Sequence, residues 1–209
     1  MDIGGLVPFS LSDYPGQVAA VVFAQGCNFR CPFCHNGSLI PMEVSSDRLI
    51  SERTMLNFLR QRRRHLDAVV VSGGEPTLQV DLVEFVKEVK TLGYLVKLDT
   101  NGSRPKIIKT LIESRLVDVI AMDIKAPIEI YHRLAGIRLP VEPICQSIHL
   151  IAHSGIRHEF RTTVVDPLLS KEDVLAIQKI IPLGSHYRLQ EFRAKHAQSQ
   201  ALRDTEALD

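Results

Sequence analysis

Ala68-Val69-Val70-Val71-Ser72-Gly73-Gly74-Glu75-Pro76 decides the fold: an apolar run of strand length breaks off into two glycines and a proline. This is the form of a buried strand that ends in a turn. Apolar residues at helical spacing follow over Val80 to Leu92, and a second apolar run covers Tyr94 to Asp99. Strand, helix and strand in so short a space make a parallel pair joined by a crossover. The pattern continues in both directions. Strands are expected at Val18 to Ala24, Val117 to Asp123, His158 to Val165 and His186 to Phe192, and helices at Glu52 to Arg64, Pro105 to Arg115, Pro140 to Ser154 and Ser170 to Ile180. Six such units are too few to close an eight-stranded barrel. The expected fold is therefore α/β, a partial, open (β/α)6 barrel with parallel strands. Residues 1–193 are expected to form this barrel, and the polar, small-residue-rich stretch 194–209 a C-terminal tail, either frayed or a surface helix.

A chain of 209 residues with 45% hydrophobic content can bury a substantial core as one domain. Lys plus Arg number 25 against 24 Asp plus Glu, so the net charge of +1 gives no general reason to bind nucleic acid or an anionic membrane. No apolar run reaches the roughly 18 to 20 residues that span a bilayer. Met1-Asp2-Ile3-Gly4-Gly5 lacks the basic and apolar regions of a signal peptide. A cytoplasmic location is expected. The basic run Arg60 to His65 reads as a solvated helix end favoured by the helix dipole.

In parallel α/β folds, ligands collect where the loops converge at the carboxyl ends of the strands. Four successive strand ends here are chemically loaded. The first runs from Ala24 into Cys27-Asn28-Phe29-Arg30-Cys31-Pro32-Phe33-Cys34-His35-Asn36. The others end in Gly73-Gly74-Glu75-Pro76, in Asp99-Thr100-Asn101-Gly102 and in Met122-Asp123-Ile124-Lys125. In a cytoplasmic chain the four cysteines are thiols or metal ligands rather than disulfides. Three thiolates on one short loop can hold three irons of a [4Fe-4S] cluster and leave the fourth open. Zinc is the rival reading, but its fourth ligand would be His35, awkwardly adjacent to Cys34. Cys145 stands apart and reads as a small buried apolar residue. The Gly73-Gly74 turn carries no phosphate-binding pattern and offers carbonyls and the Glu75 carboxylate to a cationic amine. Asp123 and Lys125 lie two apart and share one face, and Arg161 shares an inward face with Arg157, Glu159 and Thr163.

Cys-x3-Cys-x2-Cys with Phe33 before its last cysteine, Gly-Gly-Glu-Pro, and Asp-Thr-Asn-Gly together resemble the radical S-adenosylmethionine (SAM) superfamily over nearly the whole chain. Cys34-His35-Asn36, Ser12-Asp13-Tyr14-Pro15-Gly16 and Met122 to Lys125 resemble its activating enzymes of glycyl radical proteins, the short anaerobic ribonucleoside-triphosphate reductase activating type in particular. The resemblance implies a [4Fe-4S] cluster on Cys27, Cys31 and Cys34, and S-adenosyl-L-methionine bound at its open iron. Reductive cleavage would leave a 5′-deoxyadenosyl radical that takes hydrogen from a glycine of a partner enzyme. It implies flavodoxin or ferredoxin as electron donor. It assigns Phe33 to the adenine, Gly73, Gly74 and Glu75 to the methionyl amine, Asp99, Thr100 and Asn101 to the methionyl or ribose part, and Lys125 and Arg161 to the cavity. Activating enzymes often carry a histidine in the last strand, where this chain has Gln190. Asp13 and His35 are expected to face the incoming glycine loop. Two other readings are open: a relative of 7-carboxy-7-deazaguanine synthase, and a non-catalytic iron–sulfur electron carrier.

Overall fold

The computed structural model describes residues 1–166 and 168–204. Seven strands form one sheet in strict sequence order. They are β1 (Ile3–Ser10), β2 (Ala19–Ala24), β3 (Ala68–Gly73), β4 (Leu95–Thr100), β5 (Val119–Asp123), β6 (Arg157–Val164) and β7 (His186–Glu191). From β2 to β7 every neighbour is parallel, as the alternation requires. The order never reverses, so the crossovers all lie on one face and the sheet curls towards a barrel instead of winding in two directions. It stays open, with β1 and β7 as its edges.

β1, antiparallel to β2, is the element that sequence reading missed. Its pairing is irregular between Ile3 and Gly5 and again between Val7 and Ser10. Gly4, Gly5 and Pro8 account for this, since proline cannot donate to a ladder and sits on edge strands or bulges, while glycine weakens a strand. These residues also break the alternation that would have revealed the strand.

The principal helices lie within two residues of their expected ends: α1 (Glu52–Arg62), α2 (Leu82–Thr91), α3 (Pro105–Glu113), α5 (Glu142–Ala152) and α6 (Lys171–Ile180), with a short α4 (Tyr131–Ala135) preceding α5. Ser51 caps α1 by accepting from Thr54 N, and Ser170 and Asp173 form a reciprocal capping box on α6. Strand parity divides the apolar side chains into two cores. Ala20, Val22, Val69, Val71, Leu98 and Ile120 face the helices in the larger core. Ala19, Val21, Ala68, Val70 and Val119 face inward and meet Tyr14, which plugs the amino end of the barrel.

One expectation needs correction. Cys145 is exposed on α5 and takes no part in the core, because the buried stripe of that helix runs through Ile144, Ser147, Ile148 and Ile151. The tail is packed as far as the described residues go: it carries a short helix α7 (Gln200–Arg203), and Ala197 and Leu202 are buried. Its final stretch, 205–209, lies outside the described residues. Among the described residues, no helix is long and apolar enough to cross a membrane.

Candidate active site

The cysteine loop leaves β2 through Gly26, whose φ of +92° turns the chain across the barrel mouth. It is fixed on several sides. Gly26 N donates to Leu39 O (2.8 Å), Cys27 N to Ile40 O (3.1 Å) and Arg30 N to Ala135 O at the end of α4 (2.8 Å). Asn28 accepts from Asn101 Nδ2 (3.0 Å) and donates to Ser103 Oγ (3.0 Å), joining the loop to the end of β4. The tail returns across the loop, with Ser199 N donating to Pro32 O (2.8 Å). Phe192 stacks on His35 at a centroid distance of 5.8 Å.

Cys27, Cys31 and Cys34 all line one cavity of about 250 Å³. Burial pushes the Cys27 thiol up to about 11 against the opposing Phe29 N–H, and the Cys31 thiol up to about 12 against the opposing Lys125 charge. Without a bound cation these thiols stay protonated; coordination to a metal is what ionises such a group. Among the described residues no three His, Cys, Asp or Glu side chains converge closely enough to hold a single ion. The donor set, three thiols around a cavity and not around a point, fits a multi-iron cluster better than tetrahedral zinc.

The Gly-Gly turn lies against this loop. A Cβ on Gly73, where φ is +115°, would lie 2.5 Å from Ala24 N, and one on Gly74 would lie 2.1 Å from Gly26 O. Both glycines line the cavity, but what they admit closely is backbone: the end of β2 against Gly73, and the start of the cysteine loop against Gly74. Glu75 was expected to meet an amine, yet it is 0% exposed and does not line the cavity. Its Oε1 accepts from Thr77 N (3.1 Å) and Thr100 Oγ1 (2.7 Å), and its Oε2 from Asn101 N (2.6 Å). The turn through Gly74 puts the side chain under the floor, where it ties the ends of β3 and β4 together. Thr100 and Asn101 reach the cavity while serving the scaffold. The Thr100 hydroxyl accepts from Gly102 N, and Asn101 Oδ1 accepts from Ser103 N in an Asx turn.

The concave wall of β4 to β7 carries an ion network. Arg161 Nε donates to Asp123 Oδ1 (2.8 Å), and its guanidinium lies 3.6 Å from Asp99 and 3.7 Å from Glu159. Lys125 pairs with Asp123 (3.0 Å) and lies 5.9 Å from the centroid of the Phe33 ring. Burial acts to raise the Asp123 carboxyl, but Arg161 and Lys125 outweigh it and hold it far below the usual range. Burial likewise opposes the charges on Lys125 and Arg161, and Asp123 overcomes it in both. Gln190 and Thr163, paired in register, complete the wall. Arg161→Met is expected to leave Asp123 with Lys125 and Asp99 with Lys97 as their remaining partners, and to destabilise the fold by about 1–3 kcal/mol. Chemical denaturation would measure it, and a loss under 1 kcal/mol would mean that water already screens the network.

Sequence reading missed Lys97, Ser72 and Asn36. Lys97 is buried on the inward face of β4 with its ammonium 2.7 Å from Asp99 Oδ1, and Ser72 Oγ donates to Asp99 Oδ2 (3.1 Å). Both positions lie at even spacing from residues already recognised as inward, so strand parity could have found them. No comparable signal marks Asn36. His35 lines the cavity, as expected of a residue following the last cysteine. Asp13 does not. The pairing of Ser10 with Ala19 puts its loop at the amino end of β2, opposite the cysteines, and its carboxylate accepts from Ser10 Oγ in a local turn.

The model of the Radical SAM superfamily matches residues 21–181. A protein of Methanocaldococcus jannaschii, provisionally named a glycyl-radical enzyme activating enzyme, is 35% identical over 201 residues, 93% of this chain and 81% of its own length. The pyruvate formate-lyase-activating enzyme of Listeria monocytogenes is 36% identical over 123 residues, 54% of this chain and 48% of that protein. The chain thus spans most of the first relative and about half of the second. Among solved structures, Streptococcus suis SuiB bound to S-adenosylmethionine superposes with a TM-score of 0.65 at 16% identity, over 83% of this chain and 40% of that one. At that identity the likeness concerns the fold.

Proposed function

The chain belongs to the radical SAM superfamily, and from that premise we propose that it is a glycyl-radical enzyme activating enzyme. Its substrates would be S-adenosylmethionine and a glycine of a partner protein, with anaerobic ribonucleoside-triphosphate reductase as the favoured partner and flavodoxin or ferredoxin as the electron source. The observation that carries this reading is the meeting, in one cavity, of three cysteine thiols with a wall bearing Lys125 and Arg161.

A [4Fe-4S] cluster on Cys27, Cys31 and Cys34 would supply the electron that cleaves the sulfonium carbon–sulfur bond. The protein's own residues bind and orient. Lys125 and Arg161, which both line the cavity, would offer their cations to the methionyl carboxylate. Gly73 and Gly74 line the cavity, where their carbonyls would accept from the amine, Phe33 would offer a flat apolar contact to the adenine, and the Gln190 amide can both donate and accept on the last strand. His35 stacked on Phe192 walls the side nearest the tail. Residues 1–193 carry this machinery as one domain, and the tail braces its cysteine loop.

The test is anaerobic reconstitution with iron and sulfide, then incubation with S-adenosylmethionine, a reductant and the candidate partner. A glycine-centred doublet in the electron spin resonance spectrum of the partner is the expected result. Ring contraction of a tetrahydropterin in its place would favour the deazaguanine-type reading, and a reducible cluster that never yields 5′-deoxyadenosine would favour a carrier. Cys31→Ala is expected to load under a tenth of the parent's iron and to leave no cleavage. Full iron content in that variant would remove the loop from the metal site.

A further inference from the structure

We propose that the outer surface around the cysteine loop is the docking face for an acidic, protein-borne one-electron carrier. This inference rests on the proposed function and names the route by which its electron arrives. Four stretches meet at that loop: 27–42 itself, 100–112 through Asn101 and Ser103, 131–141 through Ala135, and 192–203 through Ser199. Together they hold nine of the 25 Lys and Arg residues, while all 24 Asp and Glu lie elsewhere. Glu43, Glu113, Glu129, Glu142, Glu191 and Asp204 flank these stretches within two residues, and Lys109 pairs with Glu113 (3.6 Å), so nine cations against six carboxylates leave this face with a positive excess in a chain of net charge +1.

The cations are available. Arg30, Arg104, Lys106, Arg133, Arg138 and Lys195 are all exposed, and among the described residues none of them forms an ion pair, although Arg30 also donates to the Cys27 and Phe29 carbonyls of its own loop (2.8 and 3.1 Å). Arg30 lies within the cysteine loop, between Cys27 and Cys31. Gly136, with φ of +69°, brings the end of α4 so close that a Cβ there would lie 2.0 Å from Arg30 O, which places the Arg133 and Arg138 segment directly beside it. The other basic run lies away from the cysteines: there Arg60 reaches Glu88 (4.0 Å), and Arg63 donates to the Leu92 and Gly93 carbonyls at the amino end of the barrel.

Redox encounters are small and transient and depend on charge to find their orientation. A carrier resting here is one loop thickness from the three cysteines and need not enter the cavity. The glycine-bearing partner, in contrast, must reach the cavity itself, so the outer face suits the carrier.

The experiment follows reduction of the reconstituted protein by reduced flavodoxin, read as loss of visible absorbance, across a range of ionic strength. Arg104→Glu, Arg133→Glu and Arg138→Glu combined should slow it about tenfold or more at low salt and abolish its salt dependence. Reduction by dithionite, S-adenosylmethionine binding and circular dichroism should match the parent. Arg60→Glu with Arg62→Glu, at the far end, should change nothing. Flavodoxin reduction within twofold of the parent would overturn the proposal, as would a variant that loses only capture of the glycine-bearing partner. A protein that takes up no iron would overturn the proposed function and this inference together; a cluster that dithionite reduces normally but that ignores the reversal sinks the docking face alone.

Discussion

Glu75→Ala is expected to lower the melting temperature of the metal-free protein by roughly 10 °C or more, a much larger effect than the loss of one ligand contact. The carboxylate is fully buried and accepts from two backbone N–H groups, Thr77 N and Asn101 N, and from the hydroxyls of Thr77 and Thr100. Alanine orphans all four donors in a space that water does not reach. A buried donor left unpaired costs about 1–3 kcal/mol, and neighbouring losses in one network do not simply add, so about 3–5 kcal/mol is the expected total. In a domain of this size each kcal/mol is worth roughly 2–4 °C. Burial raises the Glu75 carboxyl, against the Asn101 and Thr77 donors that pull it down. Glu75→Gln separates geometry from charge. It preserves the shape and the Oε1 acceptor but sets an amide NH2 against Asn101 N–H, so an intermediate melting point is expected. A Glu75→Ala protein that melts like the parent and only binds S-adenosylmethionine more weakly would return Glu75 to the ligand.

The different fates of Glu75 and Lys125 show what a sequence conveys. Strand ends, helix periods and the cysteine spacing are local patterns, and they located six strands, the principal helices and the loops around the cavity. Lys125 and Arg161 were placed inward by strand parity, a rule that holds as long as the strand is regular. Glu75 lies two residues past such a strand, in a turn where parity no longer applies, and its neighbours Thr77, Thr100 and Asn101 are set by how two loops fold over one another. Asp13 fails for a related reason. Its position depends on β1 pairing antiparallel with β2, and the bulges that make room for Gly4, Gly5 and Pro8 erase the alternation from which the strand could have been read. Cys145 was judged by residue type, whereas its exposure follows from the rotation of α5 about its axis, fixed by Ile144, Ile148 and Ile151.

Gly74→Ala should disrupt both the fold and the proposed metal site, because the new methyl meets only backbone. Its Cβ would lie 2.1 Å from Gly26 O, 2.7 Å from Gly26 C and 2.9 Å from Leu39 O. No side chain is available to rotate away. Relief requires one loop to shift by roughly 1 Å or more to restore ordinary contact distances. Two hydrogen bonds oppose that shift, Gly74 N to Ala24 O (2.9 Å) and Glu75 N to Gly26 O (2.9 Å), and the loop that would move begins at Cys27. Overpacking of this kind costs about 1–3 kcal/mol, and the broken hydrogen bonds add to it. The displaced cysteines should show in two readouts: iron uptake reduced several-fold on reconstitution, and faster reaction of the three loop thiols with a thiol reagent. Gly5→Ala is the matched control, since its Cβ would make only ordinary contact with Phe23 at 3.6 Å. Iron uptake by Gly74→Ala equal to that of Gly5→Ala would mean that the cysteine loop is not held by its contact with the glycine turn, and the rigid placement of the three thiols would then need another cause.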